Sequence, residues 1–273
     1  MDFGVVVASS WSAKQIVESA VAAEKAGLDF FLVTDHYLTP VAKTSVDAWT
    51  ALAGIATRTE RIRIGTCVTP IPLRPPAILA KVVATVDQLS NGRAILGAGA
   101  GWNKSEFDAY SRWDEDRVRA AKTAEGMRLV TKLWTSDAPL DFRGDYYNAS
   151  QAVLEPKPIQ KPYPPIWFGA LKPYMLKLTN RYAEAWVPPI PGVDGAFYRA
   201  VISALKGQHA PSGKPEKWRE VKVSFNGTLP EISAGVEGFV EMGCKVAILT
   251  RTPFDGLESA MQRLASDIML SYR

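Results

Sequence analysis

The chain has 273 residues, 47% of them apolar and 22% charged, a composition that excludes disordered, collagen-like and disulfide-scaffolded proteins. At this length roughly three quarters of the unfolded surface can be buried, so no disulfide or metal staple is needed. Its 32 basic and 28 acidic residues give a formal charge of +4 spread along the chain. The densest group, Arg58, Arg61 and Arg63, brackets a helix-to-strand turn and reads as a solvated rim, so no nucleic-acid partner is expected.

No run approaches 18 apolar residues, so no membrane span is expected, and the opening MDFGVVVASS lacks a basic secretory leader. Cys67 and Cys244 lie far apart in apolar runs and read as reduced thiols of a cytoplasmic protein. With His36 and His209 the only histidines, a polyhistidine metal centre is not expected.

In chain order, short β-type runs alternate with helical segments. The strand candidates are Phe3–Ala8, Asp29–Thr34, Ile62–Val68, Ala94–Ala98, Ile166–Gly169, Ala185–Pro188, Val221–Phe225 and Val246–Thr250. Most are continuously apolar, the pattern of strands covered on both faces in a parallel sheet. Between them, Ser12 and Gln15 form a capping box that opens a helix, which Gly27 then stops in the left-handed region. Asp47 to Thr57 is helix-competent. Pro75 and Pro76 suit a helix start, followed by a stripe of Leu79, Val82, Val83, Val86 and Leu89. Leu257, Met261, Leu264 and Ile268 repeat that stripe near the C-terminus.

Eight strand–helix pairs in series predict an α/β fold, a (β/α)8 TIM barrel, with residues 1–273 as one domain. An open doubly wound sheet is the alternative, but no G-x-G-x-x-G follows the first strand. The proline-rich stretch from Ser136 to Pro165 breaks the rhythm between strands four and five. It contains a small hairpin around Gly144-Asp145 and reads as a lid or surface arm.

In such barrels the active site lies at the carboxyl ends of the strands. After the second strand comes Thr34-Asp35-His36-Tyr37. His36 could shuttle a proton there, with Asp35 fixing its tautomer or holding a ligand hydroxyl, or the two could simply pair. After the third comes Thr66-Cys67-Val68, where small and β-branched residues suit either a flat ligand or plain packing. After the fourth comes Gly99-Ala100-Gly101-Trp102-Asn103, whose glycines let the main chain approach a ligand. Asn103 is a candidate N-cap for the helix carrying Glu106 and Phe107. After the fifth comes Gly169-Ala170-Leu171-Lys172-Pro173, a competent anion seat at a helix start or an ordinary turn.

These motifs together resemble the bacterial-luciferase-like superfamily of flavin- and deazaflavin-dependent oxidoreductases. The matching stretches are Gly27-Leu28-Asp29, Thr34-Asp35-His36, Thr59 to Thr66, Asp87 to Arg93, Gly99 to Asn103, Pro156 to Gln160 and Pro164 to Gly169. The resemblance is clear over residues 3 to 190 and is greatest to the branch that uses coenzyme F420, a deazaflavin. It implies hydride transfer between F420 and a small organic substrate, His36 and Asp35 beside the ring, and Thr66, Cys67 and Val68 as its platform. Cys67-Val68 matches a place where relatives carry a non-prolyl cis peptide. The loop Gly99-Ala100-Gly101-Trp102-Asn103 and the turn Gly169-Ala170-Leu171 would hold the rest of the cofactor. A homodimer through the helices after strands two and three is implied as well.

There are departures. Dehydrogenase relatives have a glutamate at Trp102 and a tryptophan at Pro40, which argues against the sugar-phosphate and alcohol dehydrogenase mechanism. The usual Gly-Gly of the phosphate turn is Gly169-Ala170. The residues leave open an FMN-dependent monooxygenase and a non-enzymatic (deaza)flavin binder. Trp102, Tyr37, Tyr146 and Trp186 could line a flat apolar pocket or serve packing.

Overall fold

The structure, a computed structural model, describes residues 1–39, 43–188, 195–206 and 220–273. Pro40 and His209 lie outside the described residues. The chain opens with β1 (Asp2–Val7), α1 (Ala13–Lys25), β2 (Phe30–Val33), α2 (Ala48–Ala56), β3 (Arg63–Thr66) and a short β4 (Thr69–Pro70). It continues through α3 (Pro76–Leu89), β5 (Ala94–Gly99), α4 (Lys104–Tyr110), α5 (Asp116–Thr135) and the strands β6 (Leu140–Arg143) and β7 (Asn148–Ala152). Then come β8 (Ile166–Gly169), α6 (Pro173–Tyr182), β9 (Ala185–Val187), α7 (Gly195–Lys206), β10 (Lys222–Gly227), α8 (Leu229–Glu241), β11 (Val246–Leu249) and α9 (Phe254–Leu264).

Eight of these strands pair in parallel in the order β3-β2-β1-β11-β10-β9-β8-β5, and β3 closes the ring on β5 through Ile64–Ala94 and Gly65–Ile95. They are the eight strands expected from the apolar runs, with ends shifted by a residue or two. The continuous apolarity has the cause inferred for it. On β2, Phe31 and Val33 join the layer under the helices, while Phe30 and Leu32 join an inner cluster with Ile95, Trp167, Val187 and Ile248.

The third strand departs from expectation. It breaks after Thr66 at a cis Cys67-Val68 peptide and resumes as β4, paired with Ala98 and Gly99. The seam with β5 tolerates no side chain at Gly97, where a Cβ would stand 1.8 Å from the Thr66 carbonyl oxygen.

Side chains at the N-terminal ends of the strands hold the barrel floor. Arg63 Nη2 donates to Glu184 Oε2 at 2.8 Å, Trp167 Nε1 donates to the same oxygen at 3.2 Å, and Lys222 pairs with Asp2 at 2.8 Å. Arg63 is thus part of this plug and not of a solvated rim. The opposite end is where the loops carrying the candidate site residues gather.

The Ser12–Gln15 capping box forms, and Gly27 adopts φ +82°. On α3 the stripe is buried at Leu79, Val83 and Val86, but it runs out to the surface at Leu89, 47% exposed. The C-terminal stripe is buried throughout. The proline-rich excursion carries the β6–β7 hairpin, anchored by Glu125 of α5, which accepts the backbone N–H groups of Asp145, Tyr146 and Tyr147 at 2.7–3.0 Å. Among the described residues no helix is long and apolar enough to cross a membrane.

Candidate active site

His36 stands just beyond the end of β2, its side chain 17% exposed. Its Nδ1 lies 3.1 Å from Glu106 Oε2. Glu106 is fully buried on the first turn of α4, and its Oε1 accepts the backbone N–H of Tyr37 at 2.5 Å and of Leu38 at 3.4 Å. The Trp102 ring, 62% exposed, packs edge-to-face on His36 with centroids 5.7 Å apart.

The expectation that Asp35 orients His36 is therefore corrected. Asp35 is 2% exposed and continues the outward alternation of Phe31 and Val33. Its carboxylate accepts from Arg74 at 2.6 and 3.2 Å and from Thr69 Oγ1 at 2.7 Å. Burial pushes this carboxyl up, and the guanidinium and hydroxyl beside it pull it down. Arg74 also binds Asp47 at 2.8 Å and lies over the Tyr37 ring. Burial, opposed by Arg74, pushes the Tyr37 phenol up to about 12. Thr66 faces the same outer layer. Its hydroxyl donates to the Gly97 carbonyl at 3.1 Å and lies 3.0 Å from Thr69 Oγ1, so its side chain braces the strand from behind.

Cys67 and Val68, half-buried, pack on the inner cluster. A Cβ on Gly99 would stand 2.6 Å from Val68 Cγ2, and one on Gly169 would stand 3.3 Å from Val68 Cγ1. The third strand and the two glycine loops thus meet at Val68, whose side chain fills the space that a Cβ on either glycine would take. Burial pushes the Cys67 thiol up to about 12. On β10, Asn226 Nδ2 donates to the Pro188 carbonyl at 3.2 Å, while its buried Oδ1 has no partner among the described residues.

The loop after β5 turns at Gly101, φ +78°. Its carbonyl accepts Arg119 Nε at 3.3 Å; Arg119 binds Asp116 at 2.6 Å, and Asp116 also pairs with Lys172. The Gly99–Asn103 loop and the Gly169–Leu171 turn are therefore tied together. Within them, Ala100 is half-buried and Leu171 exposed. Two residues depart from expectation. Asn103 takes the N-cap position of α4 as expected, but its buried side chain makes no cap hydrogen bond and instead bridges Leu38 O and Ser105 Oγ, both at 2.7 Å. Ala170 is 2% exposed, and its carbonyl accepts Trp186 Nε1 at 2.7 Å. Trp186 itself is fully buried and belongs to the core, not to a pocket.

Glu106 escaped the reading of the sequence because its partner is 70 positions away. The one local signal was an acidic residue beside the buried Phe107 on a helix that follows the glycine-rich loop.

An imidazole, a bent third strand and two glycine loops thus share one mouth of a closed parallel (β/α)8 barrel. The chain belongs to the luciferase-like monooxygenase family, which it matches over residues 1–229. It is 38% identical over 185 residues to an F420-dependent glucose-6-phosphate dehydrogenase of Amycolatopsis mediterranei, covering 66% of this chain and 54% of that protein. It is 34% identical over 217 residues to a phthiodiolone/phenolphthiodiolone dimycocerosates ketoreductase of Mycobacterium kansasii, covering 72% and 58%. The chain thus spans little more than half the length of these relatives. Among solved structures, a monooxygenase of Streptomyces bottropensis superposes with a TM-score of 0.85 at 19% identity over the whole of both chains. That likeness concerns the fold.

Proposed function

We propose that the protein is an F420-dependent oxidoreductase that moves a hydride between the deazaflavin and a small organic substrate at the barrel mouth, within one cytoplasmic domain. The observation that carries this reading is the gathering of His36, Val68, Gly99 and Gly169 at the carboxyl ends of the strands, where the two glycines let Val68 pack against the main chain. The cofactor named for the Amycolatopsis relative and the carbonyl chemistry named for the mycobacterial one support it.

Bound F420 would supply a two-electron hydride donor or acceptor. Cys67 and Val68 would bed the ring, with Leu32, Val187 and Ile248 beneath them. Gly99, Ala100, Gly101 and Trp102 would flank the cofactor, with Asn103 holding their loop. The turn Gly169-Ala170-Leu171 would receive its phosphate. In carbonyl reduction the carbon gains the hydride and the oxygen gains a proton, which His36 would give; in the reverse direction His36 would take it. Asp35 would act at a distance, by fixing the segment that carries His36. Trp102 occupies the place of the dehydrogenases' glutamate, so glucose 6-phosphate is not carried over as substrate.

Fluorescence titration with F420 and with FMN tests the assignment: F420 is expected to bind, and failure of both to bind would end it. The family's description as monooxygenase favours a second reading, FMN-dependent oxygenation. Oxygen consumption with reduced FMN would identify it.

We also propose a homodimer through the α2–α3 side. Exposed Ile78 and Tyr110 flank an apolar cavity of about 330 Å³ there, which a second copy would cover. Light scattering reads the mass directly.

A further inference from the structure

We propose that Glu106 is a positioning residue for His36: it keeps the proton of the neutral imidazole on Nδ1 and so leaves Nε2 as the atom that exchanges protons in the mouth. This rests on the reading of the mouth as a redox site.

A fully buried carboxylate must be matched by hydrogen-bond donors. Among the described residues its three donors come from one tripeptide, His36 to Leu38. Oε1 is taken by the two backbone N–H groups, and Oε2 is left for the ring. The backbone donors permit no exchange of roles at Oε1, so the only proton that can sit between Oε2 and Nδ1 is shared with the imidazole. A carboxylate only accepts hydrogen bonds, so the 3.1 Å contact at Oε2 places the donor at Nδ1.

Among the described residues, the neighbouring carboxylates Asp35 and Asp47 both bind Arg74, which lies over Tyr37. Trp102 closes one side of the imidazole edge-on. The β5–α4 segment therefore supplies both the acceptor that selects the tautomer and the wall that holds the ring. An acid–base imidazole held in one tautomer by a buried carboxylate is a familiar catalytic arrangement, and here the carboxylate comes from a different loop than the adjacent Asp35.

The test is ¹⁵N NMR of protein labelled at histidine, above the pH at which the imidazole becomes neutral. Only two histidines contribute, and a His209→Gln variant assigns the signals. Wild-type protein is expected to show protonated Nδ1 and unprotonated Nε2 at His36. In Glu106→Gln, whose amide can donate to Nδ1, that preference is lost and Nε2–H grows in. F420 affinity, read by fluorescence quenching, stays unchanged. Wild-type protein with the proton on Nε2 would overturn the proposal, with no variant needed. So would a folded Glu106→Gln protein with an unaltered tautomer. Failure of both proteins to bind F420, with the tautomer change present, would sink the cofactor assignment and leave the positioning role standing.

Discussion

Val68, just before β4, and Gly99, on the paired strand β5, lie so close at the barrel mouth that a methyl group on Gly99 would stand 2.6 Å from Val68 Cγ2. The contact is to a side-chain tip and not to backbone, so the fold can give way there, while the floor loses its shape. Gly99→Ala is expected to fold with a loss of about 1–3 kcal/mol and to lose F420 affinity. Gly97→Ala, two residues earlier, forces a Cβ to within 1.8 Å of a backbone oxygen and is expected not to yield a closed barrel. Thermal melts by circular dichroism together with cofactor titration separate the two outcomes.

Arg74 joins two carboxylates, Asp35 and Asp47, in a largely buried cluster. Arg74→Met keeps much of the volume and removes the charge, which leaves Asp35 buried without its cation. The expected cost is about 3–5 kcal/mol, measured by urea denaturation. If Arg74→Met were as stable as the parent, the role given to Asp35 would be wrong.

Glu24 gives a pH signature. Partial burial raises its carboxyl, but the N–H groups of Ile62, Arg61 and Glu60, at 2.7–3.0 Å, outweigh this and hold it below the ordinary value. A carboxyl lowered in the folded state contributes stability that is present above its unfolded pKa and is lost as pH falls through the folded one. Glu24→Gln is therefore expected to cost less than about 1 kcal/mol at pH 7, because solvent screens this partly exposed carboxylate. The gap to wild type should close progressively below about pH 4. A gap that stayed constant from pH 7 to pH 3 would contradict the assignment.

His36→Ala is expected to lower hydride exchange between reduced F420 and a panel of ketones, aldehydes and enoates by about 10²–10⁴-fold. Cofactor affinity should be retained, since the bed is made by other residues. Full turnover in this variant would remove the proton-transfer role.

The barrel was legible because each strand is a continuous apolar run, a pattern that two-sided burial imposes and that Phe30 to Val33 display residue by residue. The loops at the mouth were legible from glycine. What escaped was long-range polar pairing. Asp35 sits next to His36 in sequence and invites a pairing, but adjacent residues at a strand end point to opposite sides, so Asp35 met Arg74 under the helices and His36 met Glu106 across the mouth. The same alternation, applied beyond Val33, would have turned Asp35 outward. Trp186 and Asn103 resemble mouth residues by position, yet their polar atoms are used up by Ala170, Leu38 and Ser105, partners that no local pattern announces.

The most direct test of the central claim is a crystal structure of the protein soaked with F420. The account predicts the deazaflavin ring lying on Cys67 and Val68, its tail along Gly99–Gly101, and a substrate-sized space beside the ring within hydrogen-bond reach of His36 Nε2. Cofactor density away from this mouth, or a ring with His36 turned from it, would contradict the claim.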